Sequence, residues 1–225
     1  MRRQSPLLIY GAGGSGRETA WLAEQCWEHG ADEVPVAYLD DEAAKANSSI
    51  RGLPILTLQD AVRRYPRALF TAAVGNPATR AQLTERAKHH GFVEHTLVHP
   101  SVIRSRHIQF GRGVVVCAGT TLTTDIKLGD GVQININCTV SHDCVLDDYV
   151  TLAPGAHLCG NVHLRRGAYV GAGAVIKNGT PAEPLIIGAG TVIGAGACVT
   201  RSFGPSLTLV GVPASPLRKR VADAA

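Results

Sequence analysis

His142 and Asp143 stand side by side in the segment Ser141-His142-Asp143-Cys144. An imidazole titrates near neutrality, so it can take a proton from an attacking amine or hydroxyl, and a neighbouring carboxylate can orient the ring. A second group with chemical potential lies near the start of the chain. Gly11-Ala12-Gly13-Gly14-Ser15-Gly16 has GxGxxG spacing, and Asp40 follows 24 residues after Gly16. Bare backbone N–H groups at the mouth of a helix favour anions such as a diphosphate, and an acidic residue at that distance suits a ribose hydroxyl. The six cysteines (Cys26, Cys117, Cys138, Cys144, Cys159 and Cys198) form no CxxC pair and match no zinc spacing. They read as free thiols in a reducing compartment. His157 and His163 have no converging partners in the pattern, so no metal is expected.

The glycine loop needs a strand before it and a helix after it. Leu7-Leu8-Ile9-Tyr10 is an apolar run that stops at glycine, and residues 17–29 have helical character, with Thr19, Ala20, Ala23 and Trp27 on one face. Residues 34–39 and 68–74 read as further strands, 58–64 and 78–90 as helices, and Phe92-Val93 as a last short strand. This alternation predicts an α/β, Rossmann-like βαβ domain with a parallel sheet over residues 1–95. About ninety residues hold too few strands for a complete NAD-binding domain.

His142 must be positioned by a different architecture. Cut into sixes from Thr96, the third place is large and apolar in thirteen of fourteen hexads from Val98 to Ile176, with Arg104 the exception. The first place is small or aliphatic through Val114, Val132, Cys138, Cys144 and Val150. After a five-residue interruption at 180–184 the register resumes with Ile187, Ile193 and Val199. A six-residue period sustained this long predicts a parallel β-helix over residues 96–225. Three hexads close a triangular coil, the aliphatic side chains point inward, and Gly, Asn or Asp turns the corners. Cys138 and Cys144 then take inward places as small core residues. His142, in the fifth place, lies outward near a corner, with Asn135, Asn137 and Asp143 around it in sequence. Gly160, eighteen residues on, lies one coil above it.

Composition agrees with this architecture. The chain has 45% apolar, 18% charged and 5% aromatic residues with 25 glycines, which suits a β solenoid better than a helical bundle. The net charge of +4 comes with no dense Lys/Arg run, so nucleic acid is not the expected partner, whereas anionic small molecules are. No stretch is apolar and long enough to span a bilayer, and the N-terminal apolar run is too short for a signal peptide. The expectation is a cytoplasmic protein with no membrane partner.

The hexads, the Ser141-His142-Asp143-Cys144 segment, the closing Gly211-Val212-Pro213-Ala214 and the glycine-opened N-terminal unit together resemble the sialic-acid/bacillosamine-type sugar acetyltransferases. The resemblance covers almost the whole chain. It implies a left-handed β-helix, where the general crossover rule would give the opposite hand. It also implies a homotrimer, acetyl-CoA as co-substrate and a UDP- or GDP-linked amino-deoxy sugar as acceptor. Carried over position by position, it makes His142 the general base and Asp143 its helper. Gly160 meets the acyl group, and Thr151, Ala172 and Ala195 contact CoA. In the N-terminal unit Gly13, Gly14 and Ser15 contact substrate, Asp40 and Asp41 hold base or ribose, and Gly75 lines the pocket. Ser15 and Thr151 replace histidines of the family pattern, and Ala195 replaces a glycine. The tail Arg218-Lys219-Arg220 reads first as a solvated basic end, with charge for CoA phosphates as the alternative. Direct N-acetylation with no covalent enzyme intermediate is the leading expectation. Sugar O-acetylation, a non-catalytic sugar-nucleotide-binding β-helix and an NAD-dependent enzyme are the alternatives.

Overall fold

The computed structural model describes residues 5–42, 45 and 48–217, so the basic tail at 218–220 lies outside the described residues. The N-terminal unit runs β1 (Ser5–Tyr10), α1 (Gly14–Glu28), β2 (Glu33–Leu39), β3 (Ser49–Ile50), β4 (Leu53–Leu56), α2 (Leu58–Arg64), β5 (Leu69–Ala72), α3 (Pro77–His89) and β6 (Val93–Glu94). Its sheet has the order β3-β4-β2-β1-β5-β6 and is parallel except for the β3–β4 pair. The chain leaves β1 toward β2 and β4, then returns to place β5 on the other side of β1. Such a reversal opens a crevice at the carboxyl ends of the two strands, where ligands of open α/β sheets bind.

β1 is apolar throughout because both of its faces are covered. Leu7 and Ile9 enter one buried cluster, and Leu8 and Tyr10 enter another on the opposite face. α1 buries Thr19, Ala20, Leu22, Ala23 and Cys26. Trp27, expected on that face, is instead 38% exposed. The spacing 19, 22/23, 26 keeps one stripe, and residue 27 falls about 100° beyond Cys26. The β3–β4 hairpin has no counterpart in the sequence reading. It turns at Arg51-Gly52, both with positive φ (50° and 81°), as a two-residue primed turn requires.

The second unit is a three-faced prism of coils. Its first face carries strands from Leu97–Val98 to Ser215–Pro216, its second from Ile103–Arg104 to Cys198–Val199, and its third from Ile108–Phe110 to Leu185–Ile187. Partners stack eighteen apart, as in Thr121↔Thr139↔His157, and 23 apart across the interruption, as in Val175↔Cys198. Inward side chains such as Val116, Ile134, Cys138, Cys144, Leu158 and Ile176 form one buried column. The corners explain the sequence period. A residue with φ near +60° recurs every six positions at Gly113, Gly119, Asp125, Gly131, Asn137, Asp143, Tyr149, Gly155, Asn161, Gly167 and Gly173. Gly, Asn and Asp reach that region at least cost. The N-terminal unit covers part of the first face, where Leu97 and Val115 join its core and Cys26 Sγ donates to Val98 O at 3.4 Å.

Candidate active site

His142 projects from the corner that follows the second face, between strands Thr139–Val140 and Val145–Leu146. Its Nδ1 lies 2.8 Å from Asp143 Oδ2, and the two side chains are 56% and 53% exposed. Donation of Nδ1–H to the carboxylate leaves the Nε2 lone pair free to accept a proton. The coil above supplies the surface on which the ring rests. A Cβ at Gly160 would come within 2.5 Å of His142 Cε1 and 2.6 Å of Nε2, so only glycine lets the imidazole lie there. Asn161 N donates to His142 O at 3.0 Å and locks the two corners in register. One coil higher, Gly179 N donates to Gly160 O at 3.0 Å, so the interruption leaves the prism at this same corner.

Asp143 meets two demands at once. It sits at φ +59°, one of the periodic turning positions, and it also holds the imidazole. Asn135 and Asn137, close to His142 in sequence, do not form a polar patch with it. They belong to the preceding corner, across the width of the second face, because seven residues carry the chain past a whole strand. There Asn135 Nδ2 donates to Leu152 O at 2.6 Å. Cys144 faces the prism core, and its Sγ donates to Cys159 O at 3.2 Å. Burial pushes that thiol up to about 11, which leaves it unsuited to act as a nucleophile at neutral pH.

Ala172 and Ala195 are exposed and stack on successive coils, with Gly196 N donating to Ala172 O at 2.9 Å. They lie on the corner before the second face, whereas His142 and Gly160 lie on the corner after it. Thr151 departs from its expected place beside CoA. It sits on the first face beneath the N-terminal unit, 1% exposed, where its hydroxyl accepts from Arg80 Nη2 at 2.9 Å and donates to Gly75 O at 3.3 Å. A hydroxyl enclosed between two domains meets protein, not ligand.

The glycine loop connects β1 to α1. Gly11 has φ +120°, and a Cβ there would meet Ala73 O at 2.9 Å, so it binds the loop to the end of β5. At Gly16 a Cβ would meet Gly11 O at 1.9 Å, which is the close helix–strand approach that GxGxxG spacing serves. Gly13 has open space around it, and Gly14 has only the end of Arg17 at 4.0 Å. Gly16→Ala is therefore expected to cost about 3 kcal/mol by overpacking, and Gly13→Ala to leave stability unchanged, as read by urea denaturation of both variants. Helix α1 has no side-chain cap at Gly13 and no acidic residue in its first turn, so its N-terminus is left favourable to an anion.

Asp40 closes the loop from β2. It accepts from Ala12 N at 3.2 Å and Glu42 N at 3.0 Å and pairs with Lys45 at 3.1 Å. Burial pushes its carboxyl up, but these donors outweigh it and hold the group below its ordinary value. Asp41 accepts from Tyr10 OH at 2.8 Å and pairs with Arg86 at 2.7 Å. The Ser15 carbonyl accepts from Thr19 Oγ1 at 2.9 Å. Gly14 shares a groove with Arg17, Glu18, Trp21 and Arg51, and Glu18 and Trp21 continue into a more enclosed apolar cleft with His99, Asn135 and Ile136. Gly75 lines a separate cleft with Asn76, Pro77 and Tyr169. Sequence reasoning missed Trp21, Arg17 and Arg51. The four-residue spacing of Arg17 and Trp21 on one helix face was the available signal.

Among the described residues no helix is long and apolar enough to cross a membrane, and no group of three or more His, Cys, Asp or Glu side chains could hold a metal ion.

Residues 6–87 match the family described as PglD N-terminal domain, and residues 125–160 match the bacterial transferase hexapeptide repeats. The fold thus belongs to the hexapeptide-repeat acetyltransferases, and the chain is an acyltransferase. It is 36% identical to GDP-perosamine N-acetyltransferase of Escherichia coli O157:H7 over 213 residues, covering 94% of this chain and 96% of that protein. With 35% identity and a TM-score of 0.84, it also matches the acetyltransferase domain of PglB from Neisseria gonorrhoeae FA1090 in complex with acetyl coenzyme A, covering 95% and 100% of the two chains. A His-to-Asn variant of perosamine N-acetyltransferase from Caulobacter crescentus, in complex with CoA and GDP-perosamine, matches at 29% identity with a TM-score of 0.86, covering 96% and 98%. The chain belongs to the sialic-acid/bacillosamine-type sugar acetyltransferases that its motifs resemble, and its β-helix is left-handed like theirs.

Proposed function

We propose that the protein transfers the acetyl group of acetyl-CoA to the amine of a nucleotide-linked amino sugar, with His142 as general base. The observation that carries this reading is the imidazole resting on Gly160 with its Nδ1 tied to Asp143. His142 Nε2 accepts the amine proton as nitrogen bonds to the acetyl carbon. The carbon–sulfur bond breaks, the sulfur leaves as a thiolate that takes up a proton, and the products are an amide and free CoA. Gly160, without a side chain, admits the thioester and offers its N–H to the developing oxyanion. Asp143 keeps the ring in the tautomer and orientation that accept the proton. The relative that acts on GDP-perosamine and the neighbours that hold acetyl-CoA, CoA and GDP-perosamine support this choice of substrates.

The acceptor's diphosphate sits at the uncapped start of α1, over Gly13, Gly14 and Ser15, with Asp40 and Asp41 toward the nucleoside and Gly75 at the neighbouring strand end. Ser15 places a small hydroxyl where the family pattern has an imidazole, a difference that bears on which sugar nucleotide the site accepts.

Asp143→Asn is expected to lower turnover by about 10- to 10⁴-fold, the upper figure being that of a fully buried His-orienting carboxylate, with no loss of fold, because asparagine tolerates the positive φ that alanine would strain. Steady-state kinetics together with a melting curve check this. A lowered melting temperature with unchanged turnover would assign Asp143 to the corner alone.

The working form is a trimer. The outward side chains of the second face are Ile103, Thr121, Thr139, His157, Val175 and Cys198, with no Asp, Glu, Lys or Arg among them, and Ile103 is 70% exposed. A neighbour packed there brings its own corner across the face, so that Ala172 and Ala195 of one chain and Gly160 of the next flank one CoA. Sedimentation equilibrium is expected to give three chains per particle, and a stable active monomer would contradict it. The site of action is the cytoplasm, in keeping with six free thiols and with co-substrates made there.

The test is a free-thiol assay with acetyl-CoA and a panel of UDP- and GDP-linked sugars bearing either an amine or only hydroxyls. CoA release with amine acceptors supports the proposal. Release with hydroxyl acceptors alone would replace it with O-acetylation, and tight NADH binding in a parallel titration would overturn the reading of the glycine loop.

A further inference from the structure

Arg80, in α3, is 1% exposed and is the bulkiest fully buried side chain among the described residues. No carboxylate pairs with it there. Its guanidinium donates instead to seven oxygens. Nε donates to Gly131 O at 2.9 Å. Nη1 donates to Val74 O at 2.9 Å, Gly75 O at 3.3 Å and Gln133 Oε1 at 3.1 Å. Nη2 donates to Tyr149 O at 2.8 Å, Val150 O at 3.3 Å and Thr151 Oγ1 at 2.9 Å. Val74 and Gly75 follow β5 at the carboxyl end of its strand, next to the glycine loop, where Ala73 O and Val74 lie against Gly11. Gly131 and Gln133 belong to one coil of the prism, and Tyr149, Val150 and Thr151 to the next. Thr151 completes a triangle by donating its hydroxyl to Gly75 O at 3.3 Å.

We infer that Arg80 is a positioning residue for the transfer reaction. It fixes the strand edge that borders the acceptor site to the prism that carries the acetyl donor. Domains joined by one linker move relative to each other unless their interface is held. A buried charge without a counterion is a costly way to gain stability, since apolar packing of the same volume commonly does as well. What a planar fork provides is direction, because its five N–H groups define the placement of each carbonyl around it. Burial pushes its pKa down to about 10, so it stays charged at neutral pH. Gly75 and Thr151 were assigned to two different ligands by resemblance, yet they touch each other and the same guanidinium. The fork is therefore where acceptor site and donor scaffold are set in register, and a misplacement of about 1 Å between reacting groups is worth roughly 10²-fold in rate.

This inference rests on the two-substrate reading above, and the experiment separates the two. Wild type, Arg80→Lys and Thr151→Val are compared by melting temperature, by calorimetric titration with CoA alone and with GDP-perosamine alone, by turnover, and by amide hydrogen exchange. Lysine keeps the charge and loses the fork. In Arg80→Lys, affinity for each compound alone is expected to stay within about twofold, turnover to fall roughly 10²-fold, and exchange at residues 74–76 and 131–133 to speed up while β1 stays protected. Thr151→Val is expected to shift the same readouts in the same direction by a smaller factor. It decides the matter should Arg80→Lys fail to fold. Unchanged exchange at the junction with near-normal turnover would overturn the inference, as would a loss that follows the affinity for one compound alone. If the wild type acetylates no amino-sugar nucleotide, the proposed function falls, and the exchange data still decide whether Arg80 fixes the domains.

Discussion

His142→Ala is expected to give a folded protein with wild-type melting behaviour and a turnover lower by about 10²–10⁴-fold. The side chain is more than half exposed and contributes nothing to the buried column, so its removal leaves the prism intact. What disappears is the proton acceptor held against the Gly160 surface. CoA affinity should change little, since the imidazole acts on the amine proton and not on the coenzyme. The loss should therefore appear in kcat and not in the KM for acetyl-CoA. A variant that turns over within threefold of wild type would remove His142 from the mechanism.

The second large effect comes from a position that carries no side chain. Gly160→Ala would put a Cβ 2.5 Å from Cε1 and 2.6 Å from Nε2 of His142. The backbone of Gly160 lies outside the left-handed region, so alanine brings no backbone strain. The colliding atoms belong to an exposed ring that can swing aside, so the fold survives while the base moves off its perch. Swinging aside breaks the 2.8 Å contact with Asp143 as well. Turnover is expected to fall about 10²-fold at constant melting temperature. Combining this change with His142→Ala should cost less than the sum of the two losses, because one variant displaces the group that the other deletes, and what remains is the effect of the added Cβ on the acyl group. Full additivity of the two losses would mean that Gly160 acts only on the acyl group and not through the imidazole.

The β-helix was legible because its physics repeats. Each hexad must send an aliphatic side chain inward and must turn a corner, and both demands mark the sequence at a fixed period. The same period carried His142 to an outward corner and Gly160 above it. It also left an ambiguity that only the backbone resolved. Asp143 sits at φ +59°, so the corner alone would select Asp or Asn there, and its value as a partner for His142 could not be separated from that requirement in the sequence. Asn135 and Asn137 look adjacent to His142 in one dimension but occupy another corner, since a triangular coil separates neighbours that a linear reading groups.

In the N-terminal unit, the continuous apolar run of β1 and the glycines after it were sufficient to place the loop. The β3–β4 hairpin escaped because its strands are two and four residues long and its turn begins with arginine, which is rarely found at positive φ. Arg80 escaped for a deeper reason. A lone arginine in a polar helix reads as a solvated charge, and its burial depends on carbonyls fifty to seventy residues away that converge only when the two units dock. Thr151 was misplaced by the same blindness, since nothing local distinguishes an outward residue facing solvent from one covered by another domain.

The most direct test is the identity of the product. Purified protein is incubated with acetyl-CoA and GDP-perosamine, then with other UDP- and GDP-linked amino sugars, and each mixture is analysed by tandem mass spectrometry beside the His142→Ala variant. The account predicts a sugar nucleotide that has gained one acetyl group on its amino nitrogen, formed by the wild type and not by the variant. An acetyl group found only on oxygen, an equal yield from the variant, or no acetylated amino sugar anywhere in the panel would contradict it.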